Sequence, residues 1–175
     1  MHAVVFTTST GAHRSVVSML RDEHFALCEF TGSTDAAKRH AAIRNFQDTA
    51  EAKGKDPVAK VFVVTVKTGS VGITLTAATR VYLLEPALDP STEVQAAGRI
   101  RRLGQTRGVL IKRFAFKNSL DSHICKLHEC VKDGRVKIRD GLIDIMGMKI
   151  LNGEGAPTRH PPKKKPKKPM KNLMA

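Results

Sequence analysis

Short apolar runs rich in β-branched residues alternate with helical patterns, and this alternation constrains the fold more than any other feature of the sequence. The strand-like runs lie at residues 3–8, 25–30, 60–65, 80–85 and 109–116, and the helical patterns at residues 12–21, 35–48, 91–103 and 120–131. The first run, AVVFTT, is apolar almost throughout, as expected for a strand that is buried on both faces. Alternating strands and helices are typical of a parallel sheet with crossover helices. The sequence therefore predicts an α/β fold with a mainly parallel central sheet.

Local signals predict several helix starts and loops. Ser9 or Thr10 can cap the first helix, and Ser91 or Thr92 can cap the third, which is expected to run to about residue 103. The inward side of the second helix is expected to carry Ala42, Ile43 and Phe46. Residues 50–57 are polar and rich in turn formers, which predicts a surface loop. Residues 136–151 mix apolar, basic and glycine residues, and little regular structure is expected there.

Basic residues are in excess, and half of the excess lies at one end. The 175 residues include 30 Lys and Arg against 16 Asp and Glu, for a formal net charge of +14. Residues 157–175 contain seven basic residues and no acidic one, and the rest of the chain has 23 basic and 16 acidic residues. This surplus in both parts favours a polyanionic partner, nucleic acid first, over an acidic small molecule. The Lys- and Pro-rich tail is expected to be disordered.

Cysteine usage and apolar run lengths exclude other classes. The three cysteines, Cys28, Cys125 and Cys130, are odd in number and lack Cys-x-x-Cys spacing, which favours reduced structural thiols in a cytosolic or nuclear protein. No apolar run approaches the roughly 18 residues of a membrane-spanning helix, and the first residues lack the basic start of a signal peptide. A membrane is therefore not an expected partner.

The most specific segment is the basic sequence QAAGRIRRLGQ, which begins at Gln95. Four arginines lie within residues 99–107, and no acid occurs among residues 95–115. On a continuous helix Gln95, Arg99 and Arg102 would project from one face, at positions i, i+4 and i+7. That face is not expected to be buried, because desolvating unpaired guanidiniums costs several kcal/mol each. Forked donors suit a phosphate, although a solvated basic helix is the alternative.

A second informative segment, TVKTGSVGITLTAAT, begins at Thr65, where the third predicted strand ends. Gly69 and Gly72 permit a tight turn and a close approach of backbone N–H groups to a ligand, a common use of glycine after a strand. Alone this is a weak signal. Its position before the arginine-rich segment makes it informative.

In this order, the two segments resemble the C-terminal RecA-like lobe of Swi/Snf-type ATPases of helicase superfamily two. The resemblance covers roughly residues 3–129: AVVFTTST looks like the first strand of the lobe, FTGSTDAAKRHAAIRNFQ like the following loop and helix, VTVKTGSVGITLTAATRVYLLEP like motif five and QAAGRIRRLGQTRGVLIKRF like motif six. The Arg-x-x-Arg-x-Gly-Gln run is distinctive of this subgroup. The stretch SVGITLTAATRVYLLEPALDPSTEVQ further resembles the branch of the helicase-like transcription factor and related DNA-repair translocases.

The resemblance implies a domain organisation and a shared cofactor. It implies a three-layer αβα RecA-like lobe over residues 1–132, a poorly defined extension over residues 133–156 and a disordered tail over residues 157–175. In such enzymes ATP with Mg²⁺ binds between this lobe and a first RecA-like lobe, which here would be supplied in cis or in trans.

The resemblance also implies roles at the nucleotide. Arg102 would be the arginine finger and Arg99 its partner, stabilising the charge that develops on the transferred phosphoryl group. Gln95 would orient their helix or contact the phosphates. Gly72 and Thr74 would border the nucleotide.

On double-stranded DNA, the resemblance implies four phosphate-binding positions: Gly32, Ser33, Thr65 and Lys67. Their backbone N–H groups, hydroxyls and ammonium would position one strand without reading its sequence, so binding is expected to be salt-sensitive and nonspecific. A solvated loop lysine is the alternative for Lys67.

The sequence departs from the family pattern at several positions. Arg101 stands where the family usually has His, Thr74 where it has Asn, and Leu88-Asp89 where it has Trp-Asn. Thr74 lacks an amide that donates and accepts at once, and Leu88 lacks an aromatic platform. The chain has no G-x-x-x-x-G-K-[ST] sequence and no Asp-Glu pair after an apolar strand to hold Mg²⁺. We therefore expect that the chain alone does not turn over ATP.

The tail sequence PPKKKPKK resembles a nuclear localisation signal and indicates the nucleus, with a nonspecific DNA-binding arm as the alternative. Its basic residues are Lys163, Lys164, Lys165, Lys167 and Lys168.

The leading interpretation is the second lobe of an ATP-dependent double-stranded DNA translocase in chromatin remodelling or DNA repair, with chromatin proteins as further partners. The alternatives are a non-enzymatic nucleic-acid-binding module and a regulatory lobe that docks onto another ATPase. Because the sequence opens almost directly on its first predicted strand, this interpretation also expects a fragment of a longer protein or a truncated gene product.

Overall fold

The computed structural model describes residues 2–48, 59–69, 72–103, 105–139 and 142–154. Five parallel strands form its central sheet in the order β2-β3-β1-β4-β5. These strands are β1 (Ala3–Thr7), β2 (Ala26–Phe30), β3 (Lys60–Thr65), β4 (Arg80–Leu83) and β5 (Leu110–Arg113). The helices are α1 (Thr10–Asp22), α2 (Ala36–Gln47), α3 (Val66–Gly69), α4 (Pro90–Gly98), α5 (Leu120–Lys132) and α6 (Ile145–Leu151), and a hairpin joins β6 (Ile138–Arg139) to β7 (Leu142–Ile143). The predicted α/β class with a parallel sheet is confirmed.

The first strand lies at the centre of the sheet. Ala3 is paired with Val61 of β3 on one side and with Arg80 of β4 on the other. All five residues of β1 are buried, because alternate side chains enter two separate cores. A strand buried on both faces is mainly apolar, which explains the apolar run AVVF at the start of the sequence, and the buried Thr7 is the polar residue at its end.

Helices cover the two faces of the sheet unequally. One face packs against α2 and α4, and its largest buried side chains include Phe46, which meets Phe62 edge-to-face with ring centroids 5.2 Å apart. Ala42 and Ile43 pack beside Phe46, as the pattern of α2 predicts. The opposite face packs against α1 through Val16, Val17 and Leu20. The architecture is therefore three-layered, with a single helix on the second face in the part of the chain that the structure describes.

Two helix starts follow different rules. Ser9 caps α1 as predicted, with its Oγ accepting from the N–H of Ala12 at 3.1 Å. The predicted caps of α4 are wrong, because α4 begins at Pro90 and its cap is Asp89, whose Oδ1 accepts from the N–H of Ser91 at 2.8 Å. Proline is favoured at the first helical position, where its missing N–H has no helical partner to lose.

The segment after α5 has regular structure that its sequence pattern does not indicate. The hairpin and α6 pack against α5, where Leu127, Cys130, Val136 and Ile150 form a small separate core. Gly147 permits this close packing, since a Cβ there would collide with Ile143. The elements have two to seven residues each, too few to show a clear period.

The three cysteines are free. Within the described ranges, no helix is long and apolar enough to cross a membrane. The predicted loop at residues 50–57 and the tail at residues 157–175 lie outside the described residues.

Candidate nucleotide and nucleic-acid site

Loops that follow β2 and β3 meet at the carboxyl edge of the sheet, where parallel α/β proteins usually bind ligands. A Cβ placed on Gly32, after β2, would lie 3.8 Å from Oγ1 of Thr68, after β3. Gly32, Ser33 and Lys67 are exposed. The structure therefore brings together the loop after β2 and the start of α3, the two segments that the resemblance assigns to DNA.

Clustered hydroxyls organise the first of these loops. Oγ1 of Thr31 lies 3.0 Å from Oγ of Ser33 and 3.3 Å from Oγ1 of Thr34. The N–H of Thr31 also donates to Oγ1 of Thr34 at 2.9 Å. Sequence reasoning missed Thr31 and Thr34, although both flank the Gly-Ser pair that it selected.

Thr65 has a different position from its neighbours. It is 8% exposed, and its Oγ1 donates to Oγ1 of Thr68 at 2.8 Å. Thr68 is more exposed and was missed by the sequence reasoning. Direct phosphate contact by Thr65 stays a prediction, and the observed bond gives it a role in orienting Thr68.

Arg39 of α2 forms hydrogen bonds with the loop after β2. Its Nε donates to the carbonyl of Thr34 at 2.7 Å, and its Nη2 donates to the carbonyl of Gly32. The guanidinium also lies over the ring of Phe30, 5.7 Å from the ring centroid. Arg39 thus fixes the path of the loop that carries Ser33.

The segments around Thr74 and Arg102 meet in space. Nη1 of Arg102 donates to Oγ1 of Thr74 at 2.7 Å, and the N–H of Leu75 donates to the carbonyl of Arg99 at 3.0 Å. Arg102 is exposed, Arg99 is partly buried, and Gln95 is exposed on α4. Candidate nucleotide-binding residues that are 28 positions apart are therefore in direct contact.

The expected single helical face for Gln95, Arg99 and Arg102 is wrong. Helix α4 ends at Gly98 instead of about residue 103, with Arg99 as its C-cap. The N–H of Arg102 donates to the carbonyl of Ile100 at 3.1 Å, in the turn that follows. Gly98 favours termination because glycine is a poor helix former. The carbonyl of Arg99 accepts from the N–H of Leu75, and this bond replaces the one that a longer helix would make. A turn, and not helical periodicity, directs Arg102 toward Thr74.

Gly72 has a backbone conformation that favours glycine. Its φ is +57°, and a Cβ at this position would meet no atom within 4 Å. Glycine is therefore required here for conformation and not for space. Gly69 is the last residue of α3, and Ser70 and Val71 lie outside the described residues.

Gln47 of α2 holds the segment that follows Thr74. Its Oε1 accepts from the N–H of Ala77 at 2.8 Å, and its Nε2 donates to Oγ1 of Thr76 at 3.1 Å. One amide side chain therefore satisfies a donor and an acceptor of the same segment.

Residues after α4 also form hydrogen bonds with residues 76–78. Nε2 of Gln105 donates to the carbonyls of Thr76 and Ala78, both at 2.8 Å. Nη2 of Arg107 donates to the carbonyl of Ala77 at 2.9 Å. These bonds join motif-like segments that the sequence places far apart.

A buried carboxylate anchors the loop between β4 and α4. Glu93 is 3% exposed, its Oε1 accepts from the N–H of Ala87 at 2.9 Å, and its Oε2 pairs with Arg113 of β5. The ring Nε2 of His128 lies 2.7 Å from the carbonyl of Ala87. The N–H and the carbonyl of Ala87 are therefore both hydrogen-bonded. The next residue, Leu88, is 46% exposed.

Arg102 has N–H donors that its bond to Thr74 does not use. A guanidinium has five N–H donors, and the hydrogen bond of Arg102 to Thr74 engages Nη1 alone among the bonds described. The exposed donors of Arg102 can therefore meet an anion from solvent. In the described part of the chain, no group of three or more His, Cys, Asp or Glu side chains could hold a metal ion.

Comparison with known proteins identifies similar sequences and folds. Residues 2–104 match the family model described as "Helicase conserved C-terminal domain". The chain is 33% identical to the mouse helicase-like transcription factor over 114 residues, which are 65% of this chain and 11% of that protein. It is 29% identical to DNA repair protein rad8 of Schizosaccharomyces pombe over 126 residues, which are 72% of this chain and 10% of that protein.

A solved structure has the same fold. The crystal structure of the C-terminal part of the Fun30 ATPase domain matches with a TM-score of 0.64 and 26% sequence identity, covering 71% of this chain and 38% of that one. The chain thus spans about a tenth of the length of the two relatives named above.

Proposed function

We propose a function from the family of this chain, which is the helicase conserved C-terminal domain family, the RecA-like lobe of Swi/Snf-type DNA-repair and remodelling ATPases. The proposed function is ATP-dependent translocation on double-stranded DNA. In this proposal a first RecA-like lobe, in cis or in trans, completes the ATP site. Residues 1–132 form the lobe, residues 133–156 extend it, and residues 157–175 are a basic tail. Without the first lobe the chain does not hydrolyse ATP.

The observation that carries the proposal is the contact between the Thr74 and Arg102 segments. The 2.7 Å bond between their side chains and the 3.0 Å bond from Leu75 to Arg99 connect both arginines to the segment that follows Gly72, which supports the proposal. An arginine held in this way is pre-organised, so little side-chain freedom is lost when it meets a phosphate.

At the nucleotide, ATP with Mg²⁺ supplies a phosphoryl group whose transfer develops negative charge. Arg102 would face this charge as the arginine finger, and Arg99 would support it from the end of α4. An arginine finger is worth about 10³–10⁵ in rate in well-studied NTPases. Gln95 would orient this region, and Gly72 and Thr74 would border the nucleotide.

At the DNA, Gly32, Ser33 and Lys67 would contact phosphates of one strand, with Thr65 acting through Thr68. The exposed loop after β2 lies beside Thr68 of α3, the residue that follows the exposed Lys67. Each duplex phosphate neutralised by a basic side chain contributes roughly 0.9 to the slope of log affinity against log salt concentration.

One continuous stretch joins the two halves of the site. It runs from Thr65, at the end of β3 on the DNA side, to Thr74 on the nucleotide side. Gln47 and Gln105 then form hydrogen bonds with Thr76, two residues further on. This connection gives a physical route by which nucleotide state could alter the grip on DNA.

The cellular setting belongs to the same proposal. Relatives named as a DNA repair protein and a transcription factor favour action in the nucleus, with chromatin proteins as further partners. Lys163, Lys164, Lys165, Lys167 and Lys168 would serve nuclear import, and these residues lie outside the described ranges.

The decisive experiment mixes this chain with a first lobe of the same family and measures DNA-stimulated ATP hydrolysis. Arg102→Ala should lower the rate by about 10³ or more. Arg14→Ala, which removes an exposed arginine on α1, is the matched control and should leave the rate unchanged. An active mixture that tolerates Arg102→Ala would refute the arginine-finger assignment.

A DNA-binding assay separates the motor from the alternative module. Lys67→Ala should weaken duplex binding at every sequence alike and flatten the salt dependence by about one ion. If no first lobe yields ATP hydrolysis, yet duplex binding survives deletion of residues 157–175, the chain is a nucleic-acid-binding module and the motor proposal is wrong.

A further inference from the structure

One residue, Ala87, joins three elements of the lobe through buried polar contacts. It lies in the loop between β4 and α4 and is 8% exposed. Its N–H donates to Oε1 of Glu93 on α4 at 2.9 Å, and its carbonyl lies 2.7 Å from Nε2 of His128 on α5. Oε2 of Glu93 pairs in turn with Arg113 on β5. The first turn of α4 is therefore tied to both β5 and α5.

His128 is a buried titratable residue that the candidate site does not use. It is 8% exposed, and because a carbonyl oxygen only accepts, the bond to Ala87 requires the ring proton on Nε2. Within the part of the chain that the structure describes, Nδ1 of this ring has no hydrogen-bond partner. Leaving the Ala87 carbonyl or the ring without the other would be costly in this buried position. The single bond therefore fixes the carbonyl of Ala87 relative to α5.

Apolar packing fixes the helix that carries His128. Leu127 and Cys130, on either side of it in the sequence, are buried in the small core with Val136 and Ile150. The ring of His128 thus projects from a helix whose own position does not depend on the bond to Ala87.

The other end of α4 leads to the candidate nucleotide residues. This helix has nine residues and is about 13 Å long, and its C-cap is Arg99, whose carbonyl accepts from the N–H of Leu75 at 3.0 Å. Packed elements transmit small shifts, so a displacement at Glu93 moves Arg99 and the turn that carries Arg102. A misplacement of about 1 Å at a reacting group can lower a rate about 100-fold.

We propose that His128 is a positioning residue for the nucleotide site, acting through Ala87 and Glu93 on the arginines at the end of α4. This inference rests on the proposed function, because it takes Arg99 and Arg102 to face a nucleotide. His128 acts only through its neighbours, so its replacement should change kcat and leave duplex DNA binding at the wild-type level.

The rate experiment mixes the full chain with a first lobe of the same family and measures DNA-stimulated ATP hydrolysis. His128→Leu removes the bond and should lower kcat about tenfold or more while changing the KM for ATP less than about twofold, as expected when transition-state geometry alone is disturbed. His128→Gln, whose Nε2 can donate to the same carbonyl, should restore kcat to within about threefold of the wild type. Circular dichroism establishes folding, and His128→Asn, which is too short to reach the carbonyl, replaces His128→Leu if that variant does not fold.

His123→Leu is the matched control. His123 lies on the same helix, and its Nδ1 is also 3.0 Å from a carbonyl, that of Leu151 at the end of α6. Loss of this bond should lower stability in urea without displacing α4, so kcat should stay within about twofold of the wild type. Equal losses of kcat in His123→Leu and His128→Leu would mean that general stability alone sets the rate, which would overturn the proposal. A His128→Gln variant as slow as His128→Leu would also overturn it.

Two measurements need no ATP hydrolysis and separate this inference from the motor proposal. NMR of the His128 ring nitrogens should show the proton on Nε2, and a proton on Nδ1 would refute the bond to Ala87. Amide exchange at Leu75, which reports the far end of α4, should accelerate in His128→Leu and not in His123→Leu. If the wild-type mixture hydrolyses no ATP while Leu75 responds as expected, the motor proposal fails and the link from His128 to the end of α4 stands. Unchanged exchange at Leu75 in His128→Leu would refute that link whatever the rates.

Discussion

Gln47 is the residue whose replacement tests most directly how the candidate site is held together. Gln47→Leu keeps a similar volume and removes both hydrogen bonds, which leaves the N–H of Ala77 without its acceptor. Ala77 is 7% exposed, so water cannot fully replace that acceptor. An unsatisfied buried donor costs about 1–3 kcal/mol, and the lost bond to Thr76 adds about 1 kcal/mol. We expect Gln47→Leu to lower the free energy of unfolding by about 2–4 kcal/mol, with about 2–3 kcal/mol as the central expectation.

Gln47→Glu is the matched comparison. A glutamate retains the acceptor for Ala77 and can accept from the Thr76 hydroxyl, so its expected cost is below about 1 kcal/mol. Urea unfolding followed by circular dichroism measures both, and a loss of 2–3 kcal/mol corresponds to a midpoint shift of roughly 1 M. Amide exchange at Ala77 should accelerate in Gln47→Leu alone. If the two variants lose equal stability, or if Gln47→Leu stays within about 0.5 kcal/mol of the wild type, the hydrogen-bond account is wrong.

Three further predictions concern other parts of the site and the core. Glu93→Ala strands the Ala87 N–H and breaks the pair with Arg113, so it should cost about 3 kcal/mol in urea unfolding, whereas Glu93→Gln, which keeps an acceptor, should cost less than half of that. Gly72→Ala should lower stability by about 1–2 kcal/mol through its left-handed backbone alone, and Gly72→Asn by less; equal costs would contradict the conformational explanation. Burial raises the pKa of the Cys28 thiol above its ordinary value of 9.0, so the folded chain keeps the proton longer than the unfolded chain. The associated stability is complete below about pH 9 and is lost as the pH rises through the folded pKa, so the wild type should lose more stability than Cys28→Ala as the pH rises above about 9.

The fold was largely predictable because its main signals are local. Unbroken apolar runs locate the buried parallel strands, and Phe46 lies inward as the period of α2 predicts. The end of α4 was not predictable, because the bond from the Leu75 N–H to the Arg99 carbonyl depends on a segment 24 residues earlier. Tertiary contacts of this kind override helical periodicity, since each end of a helix leaves backbone groups free for outside partners.

The candidate site was predicted in its residue types more than in its connections. The family resemblance implied that Thr74 and Arg102 border one nucleotide, which stays a prediction, and the structure adds the bond between the two side chains. Thr68, Gln47 and Glu93 were missed because a polar residue inside an ordinary helix or loop has no local signature. Their positions become informative through burial and hydrogen bonds, which only the folded chain displays.

The central position of β1 has a consequence for synthesis. Its partners are Val61 to Thr65 on one side and Arg80 to Leu83 on the other, so β1 leaves the ribosome well before either of its neighbours. At roughly 5–20 residues per second, this wait lasts several seconds. A five-residue apolar strand is a ready template for intermolecular pairing during that time, so soluble yield should respond to chaperone supply more than native stability would suggest. The strand that is fully buried in the native sheet is therefore the one that stays unpaired longest on the nascent chain.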